Sequence, residues 1–303
     1  MDWPVARRLD LHVGHGKTGS SFLQAWLAPN SDALRALGVH YPLQAPSGRC
    51  ERDAQRGLFS MGNGFVLEEV QAAPDPIATL SRLAAELPPD GALLFSDERL
   101  MKRLVGQLPE LVTLAAAAGF AEVRLLLFVR DPLEHASSLY LEMVKAHGLS
   151  VSLSDWLAIY NLHLHLRAFL QEQAGLAPAL PCRLEVHNYS RCSRQLLPLL
   201  QRWLDLPEAC TAWPLPPRRQ VNRSLSGSEL ALLRRLNRLL GTRSRSLGRA
   251  LVRLRPEARL ARPQPSPEAV AAFRHRLAEP VEAINALLPA VAALRLEPEV
   301  ADD

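Results

Sequence analysis

The stretch Leu9-Asp10-Leu11-His12-Val13-Gly14-His15-Gly16-Lys17-Thr18-Gly19-Ser20-Ser21 decides the fold. Leu9–Val13 reads as a short buried strand. It runs into a glycine loop, then a helix from Ser20 to about Leu27 that Pro29 closes. A strand, a glycine loop and a helix N-terminus in that order make an anion cradle. Backbone N–H groups and the positive end of the helix dipole converge there. Gly14 and Gly19 have the GxxxxG spacing of a Walker loop, which demands Lys followed by Ser or Thr. Ser20 and Ser21 hold those two places, and the lysine sits three residues earlier, at Lys17. In an NTPase that lysine reaches the β/γ-phosphates and the hydroxyl holds magnesium. A lysine on the loop itself lies beside a shorter anion. Lys17 is one of only three lysines, with Lys102 and Lys145, in a chain of 32 arginines. A compact ammonium, rather than any positive charge, is therefore expected at this place. The plainer alternative is an ordinary glycine turn after a strand.

Working outward, strands and helices alternate. A second helix is expected from Asn30 to Leu37, and a polar loop from Gly48 to Gly64 over the site. Asp75-Pro76 opens a helix to about Leu87. Gly91–Phe95 reads as a strand ending at Ser96-Asp97-Glu98, and a helix runs through Leu108–Ala118. Glu122–Val129 is the strongest strand and ends at Arg130-Asp131-Pro132, before a helix to about His147. Ser154 is read as the cap of a helix to about Gln173, with Cys182–Val186 a fourth strand and Arg191–Leu204 a helix. Ala212–Arg219 is proline-rich, and helix caps follow near Ser226 and Ser266-Pro267. This order predicts an α/β protein with a doubly wound parallel sheet, a three-layer sandwich like that of P-loop NTPases. One domain over 1–303 is expected, with an α/β core over 9–210 and a helical part over 211–303.

Composition sets the bounds. The 303 residues are 48% hydrophobic and only 6% aromatic, which suits a sizeable, helix-rich core. The net charge of +4 hides an asymmetry: from Pro181 to Arg262 there are 17 arginines, no lysine and 5 carboxylates, a local balance of +12. Such a region attracts an anionic ligand, an acidic acceptor or a membrane surface, unless Arg is simply the chain's default cation. Cys50, Cys182, Cys192 and Cys210 form no CxxC pair or zinc spacing, so no metal is expected. Met1–Arg8 has no signal-peptide pattern and no apolar run spans a bilayer. The expectation is a cytoplasmic protein with no nucleic-acid partner, and peripheral membrane contact left open.

A second anion site is suggested by Arg130 at a strand's carboxyl end and Ser138 eight residues on, about two turns into a helix. The alternative is that Arg130 pairs with Glu134 and Ser138 is merely packed. Lys17-Thr-Gly-Ser-Ser resembles the 5′-phosphosulfate loop of sulfotransferases that use 3′-phosphoadenosine-5′-phosphosulfate (PAPS). Arg130-Asp-Pro with Ser138 and Tyr140 resembles their 3′-phosphate motif, at the same spacing. The stretch from His12 through Gly19 looks most like a bacterial branch of that superfamily, and Asn222-Arg-Ser-Leu-Ser is similar to a downstream segment of it. The resemblance covers roughly residues 9–240, most strongly at the two motifs. It implies that Gly16, Lys17, Thr18, Gly19, Ser20 and Ser21 hold the 5′-phosphosulfate, and that Arg130 and Ser138 hold the 3′-phosphate. Tyr189 would lie against the adenine, and Arg223 would assist at the 3′-phosphate. Members of the branch often carry His directly before the lysine, where this chain has Gly16 and places His15 one residue earlier.

Sulfuryl transfer to a hydroxyl requires a base within hydrogen-bond reach of the acceptor. Glu98, at a strand end beside the glycine loop, resembles the branch's Ser-x-Glu and is the first candidate, ahead of His15 and Asp97. Glu98 and Lys17 would then be catalytic, 3′,5′-diphosphoadenosine (PAP) the nucleotide product, and no metal required. The implied acceptor is a hydroxyl, first on a carbohydrate, then on a lipid or small metabolite. The rival readings are a P-loop kinase or NTPase using magnesium-ATP, and a nucleotide-binding module without catalysis.

Overall fold

The computed structural model describes residues 7–50, 62–161, 163–177, 180–216, 225–244 and 263–297. In chain order the elements are β1 (Arg8–Gly14), α1 (Ser20–Leu27), α2 (Ser31–Ala36), β2 (Val39–His40), α3 (Gly64–Gln71), α4 (Pro76–Ala85) and β3 (Ala92–Asp97). Next come α5 (Leu100–Leu104), α6 (Leu108–Ala117), β4 (Glu122–Val129), α7 (Pro132–His147), α8 (Leu153–Ile159), α9 (His163–Ala174) and β5 (Cys182–Asn188). The last are α10 (Tyr189–Cys192), α11 (Leu196–Trp203), α12 (Gly227–Leu240) and α13 (Pro267–Asn285).

The five strands form one parallel sheet in the order β2-β3-β1-β4-β5. The expected α/β class and parallel sheet are observed. Strand period 2 sorts the side chains. Leu9, Leu11 and Val13 face a large core with Phe95, Leu125 and Leu127, roofed by α3 to α9, α12 and α13. Leu94, Leu126 and Phe128 face a second core closed by Leu23, Trp26 and Leu27 of α1 and Leu197 and Leu200 of α11. So β1 is followed by a helix on one face, while β3 and β4 on either side are followed by helices on the other. The chain divides at the carboxyl end of β1, where doubly wound sheets bind ligands. Phe273, Leu277, Val281 and Ile284 of α13 enter the same core as the sheet.

Four readings need correction; the first is the helix expected over Arg191–Leu204, where the structure has two, α10 and α11. Ser154 is not a cap: Ser152 caps α8, its hydroxyl accepting from the Asp155 amide while the Asp155 carboxylate accepts from the Ser152 amide. The single helix expected to about Gln173 is two, α8 and α9. The fifth strand, β2, is two residues long, too short to show a period. Part of the expected 48–64 loop, residues 51–61, lies outside the described residues, and Gly64 already starts α3.

Beyond β2 the outer edge of β3 needs another partner. Asn63, fully buried, supplies it. Its Nδ2 donates to the Leu94 and Pro42 carbonyls at 2.9 and 3.1 Å, and its Oδ1 accepts from the Ser96 amide at 2.7 Å. One side chain thus completes the ladder that carries Ser96-Asp97-Glu98 into the site. Asn63→Leu orphans these buried groups and is expected to cost about 2–4 kcal/mol. Urea unfolding checks this as a lower midpoint at unchanged slope.

Candidate anion-binding site at the carboxyl end of the sheet

Glycine is required at two places around the loop. A Cβ on Gly14 would stand 2.4 Å from the Glu98 Cα, so only glycine lets the end of β3 come this close to the end of β1. Gly19, at φ 85°, is the N-cap of α1, and a Cβ there would meet Leu196 at 2.4 Å and Tyr189 at 3.1 Å. Between them Lys17 holds a left-handed φ of 65°, a conformation that costs a non-glycine residue roughly 1 kcal/mol.

What holds the loop is a set of tied carbonyls. The Thr18 hydroxyl donates to the His15 carbonyl at 2.6 Å. His135 Nε2 donates to the Gly16 carbonyl at 2.7 Å. Arg130 donates through Nη1 to the Lys17 carbonyl at 3.1 Å. In a trans peptide the C=O of one residue and the N–H of the next point in opposite directions. Tying three successive carbonyls to the protein therefore turns the Gly16, Lys17 and Thr18 N–H groups the other way. None of the three has an acceptor among the described residues. The Ser20 hydroxyl is also buried without a partner, and a Cβ on Gly16 would meet nothing within 4 Å. Donors without acceptors beside open space make this loop a candidate anion nest.

His135 is fixed in turn. It accepts at Nδ1 from the Tyr160 hydroxyl at 2.7 Å, and His15 stacks on it with centroids 4.1 Å apart. Burial, with His15 adding to it, holds the His135 pKa well below the ordinary value, so the ring stays neutral as the tautomer that serves Gly16. His15 is itself buried.

The charged groups follow. Lys17 Nζ lies 3.4 Å from Glu142 of α7, and Lys145 lies 2.8 Å from the same carboxylate. Two of the three lysines in the chain thus share one glutamate. Burial opposes charge on Glu142, but the two lysines outweigh it and hold its pKa below the ordinary value. Glu98 moves the other way. It is exposed, yet partial desolvation by the surrounding protein raises its pKa; Lys17 opposes the rise, and Asp97 and Glu142 add to it. The surroundings thus push these two carboxylates in opposite directions. Asp97 is buried, and Arg99 holds it by its backbone amide at 2.7 Å and its guanidinium at 3.0 Å.

At the second pole Arg130 stacks over the Tyr189 ring at 5.0 Å and bonds Glu134 at 3.2 Å. The Arg130–Glu134 pair foreseen as an alternative is therefore present, together with the link to Lys17. Ser138 is half-buried on α7, one turn before Glu142, with no hydrogen-bond partner among the described residues. Tyr140 points inward, donating to the Val151 carbonyl at 3.0 Å. Asp131 locks the corner, accepting from Asn188 at 2.8 Å and from the Arg295 amide at 3.0 Å. The structure thus gathers Glu98 and the loop, and links the loop to Arg130 and Tyr189. Asn222 and Arg223 lie outside the described residues. Sequence reasoning missed Glu142, Lys145, His135 and Tyr160. The one signal available was that Lys145 is as rare a residue type as Lys17. Among the described residues no group of three His, Cys, Asp or Glu is placed to hold a metal ion.

The fold and loop define an α/β protein with a parallel sheet and a glycine loop at the carboxyl end of its central strand. No family model matches the chain, and no curated protein matches it in sequence. Two solved structures are similar to it. One is retinol dehydratase in complex with androsterone and inactive cofactor PAP, at 12% identity and a TM-score of 0.32, covering 93% of this chain and 82% of that one. The other is retinol dehydratase with retinol and PAP, at 13% identity and a TM-score of 0.30, covering 98% of this chain and 84% of that one.

His135→Phe removes the donor to the Gly16 carbonyl and is expected to lower stability by about 1–2 kcal/mol. His135→Gln, which keeps an N–H donor, should recover part of the loss. Urea unfolding measures both.

Proposed function

We propose that this protein is a PAPS-dependent sulfotransferase. The observation that carries the reading is a loop whose Gly16, Lys17 and Thr18 N–H groups have no acceptor among the described residues, with one cation on the loop itself, Lys17, and a second pole at Arg130, which bonds the Lys17 carbonyl. Two anionic ends of one nucleotide fit two such poles. The three N–H groups, Ser20 and Lys17 would hold the 5′-phosphosulfate; Arg130 and Ser138 would hold the 3′-phosphate, with Tyr189 beside the base. PAPS supplies a sulfuryl group already activated by its bond to phosphate. Glu98 takes the acceptor's hydroxyl proton as the oxygen–sulfur bond forms and the sulfur–oxygen bond to phosphate breaks. Lys17 and the loop amides neutralise charge on the departing phosphate. Glu142 remains ionised and orients Lys17. A carbohydrate hydroxyl is the first acceptor to screen, and lipids and small metabolites the next.

Thermal unfolding tests the nucleotide. PAP at about 100 times its dissociation constant adds roughly 2.7 kcal/mol, a shift of several degrees. The shift should survive a chelator and vanish in Lys17→Ala and Arg130→Ala. A shift with magnesium-ATP alone would replace this reading with a kinase or NTPase.

The base has its own signature. Because desolvation by the surrounding protein raises the Glu98 pKa, its carboxylate forms at a higher pH than that of an ordinary glutamate. kcat/KM should therefore climb with pH through that displaced value. Glu98→Gln should remove the limb and lower kcat about 100-fold or more, leaving the PAP-induced shift intact. Wild-type turnover in that variant would exclude Glu98 as the base, and full nucleotide binding with no turnover in any variant or wild type would favour a non-catalytic module.

A further inference from the structure

The helix α12 has two unlike sides. One is spent on the protein: Leu230 and Leu233 enter the core, and Asn237 Nδ2 donates to the Val144 and Leu149 carbonyls at 2.9 and 2.7 Å. The other side is exposed and divided lengthwise. Leu232 and Leu239 run along one flank, seven residues and therefore about two turns apart, and are 45% and 81% exposed. Arg235 and Arg238, both exposed, run along the flank beside them. Arg243, just past the helix end, is exposed as well. Among the described residues no carboxylate pairs with Arg235 or Arg238. The one acid of the helix, Glu229, is buried and consumed in the capping box with Ser226. From Leu230 to Pro256 the sequence holds eight arginines and no Asp or Glu.

We propose that this face of α12 docks on an anionic lipid surface. Arginines beside exposed leucines fit a bilayer interface: guanidinium groups pair with headgroup phosphates while the leucines enter the acyl boundary. A nucleic acid would use the same charges but leave the leucines in water. Because α12 is bonded to the end of α7, the helix that carries Ser138 and Glu142, docking would bring the anion site close to the bilayer.

The test is sedimentation of the full chain with vesicles of phosphatidylcholine alone, or of phosphatidylcholine mixed with phosphatidylglycerol. Binding to the mixed vesicles is expected to exceed binding to the neutral ones about tenfold or more, and to weaken as salt is raised. Arg235→Glu with Arg238→Glu should abolish it. Leu239→Ser, at a position too exposed to disturb the core, and Leu232→Ser with Leu239→Ser should reduce it stepwise. All variants should keep the wild-type melting temperature and the PAP-induced shift, so loss of docking and failure of the nucleotide reading are distinguishable. The proposal is overturned by no sedimentation with either vesicle, by equal sedimentation with both, or by leucine variants that bind like the wild type, which would mark adsorption by charge alone. It is equally overturned if the leucine substitutions change only the mass measured by light scattering, which would assign the face to a second copy of the chain.

Discussion

Three successive loop carbonyls, those of His15, Gly16 and Lys17, each accept a hydrogen bond from a side chain, and the site depends on this constraint. A short loop between a strand and a helix has many conformations with similar energies, and an anion alone would have to select one. Here the selection is made beforehand by groups on distant elements. Arg130 reaches from the end of β4 and His135 from α7. Lys17 sits in a left-handed conformation that the chain would not adopt freely. The ties hold it there, and strain of this size is common where a loop must present its amides in one direction.

The support extends well beyond the first contact. Tyr160 fixes His135, and Tyr160 is itself held from α13: Phe273 packs against its ring at 5.7 Å and Arg276 donates to its carbonyl at 2.8 Å. A helix more than two hundred residues from the loop in sequence thus contributes to the loop's geometry. The helical C-terminal part is a buttress as well as a cover. On the other side, Gly14 and Asn63 bring the end of β3 against the loop. Glu98 arrives beside Lys17 through backbone packing, with no hydrogen bond or ion pair on its own side chain among the described residues.

Much of this was legible in the sequence wherever the signal was local. The 9–21 stretch shows its strand, loop and helix because each is decided by near neighbours. Glu122–Val129 is apolar enough to be read as a strand with its observed bounds. Ser152 was legible too: Asp155 three residues on completes a capping box, and choosing Ser154 instead passed over that pair. The remainder could not be seen in that way. The two residues of β2 carry no period, and Asn63 replaces a strand by side-chain chemistry. His135 meets Gly16 across 119 positions, and Glu142 meets Lys17 across 125. Such pairings exist only after the sheet has brought β1 and α7 together.

Glu142 also sets how selective the nest can be. An ammonium facing solvent alone would draw any small anion. Lys17 instead already has a counterion, one that Lys145 keeps charged and in place. An incoming anion must therefore outcompete a carboxylate some 3.4 Å away. A monovalent ion such as chloride has little to offer in that exchange, while a group that brings several oxygens and more than one charge can satisfy the amides and the lysine together. When it does, Glu142 is not stranded, because Lys145 remains with it. On the proposed reading the shared carboxylate acts as a threshold, which favours polyvalent anions over the commonest monovalent ions in solution.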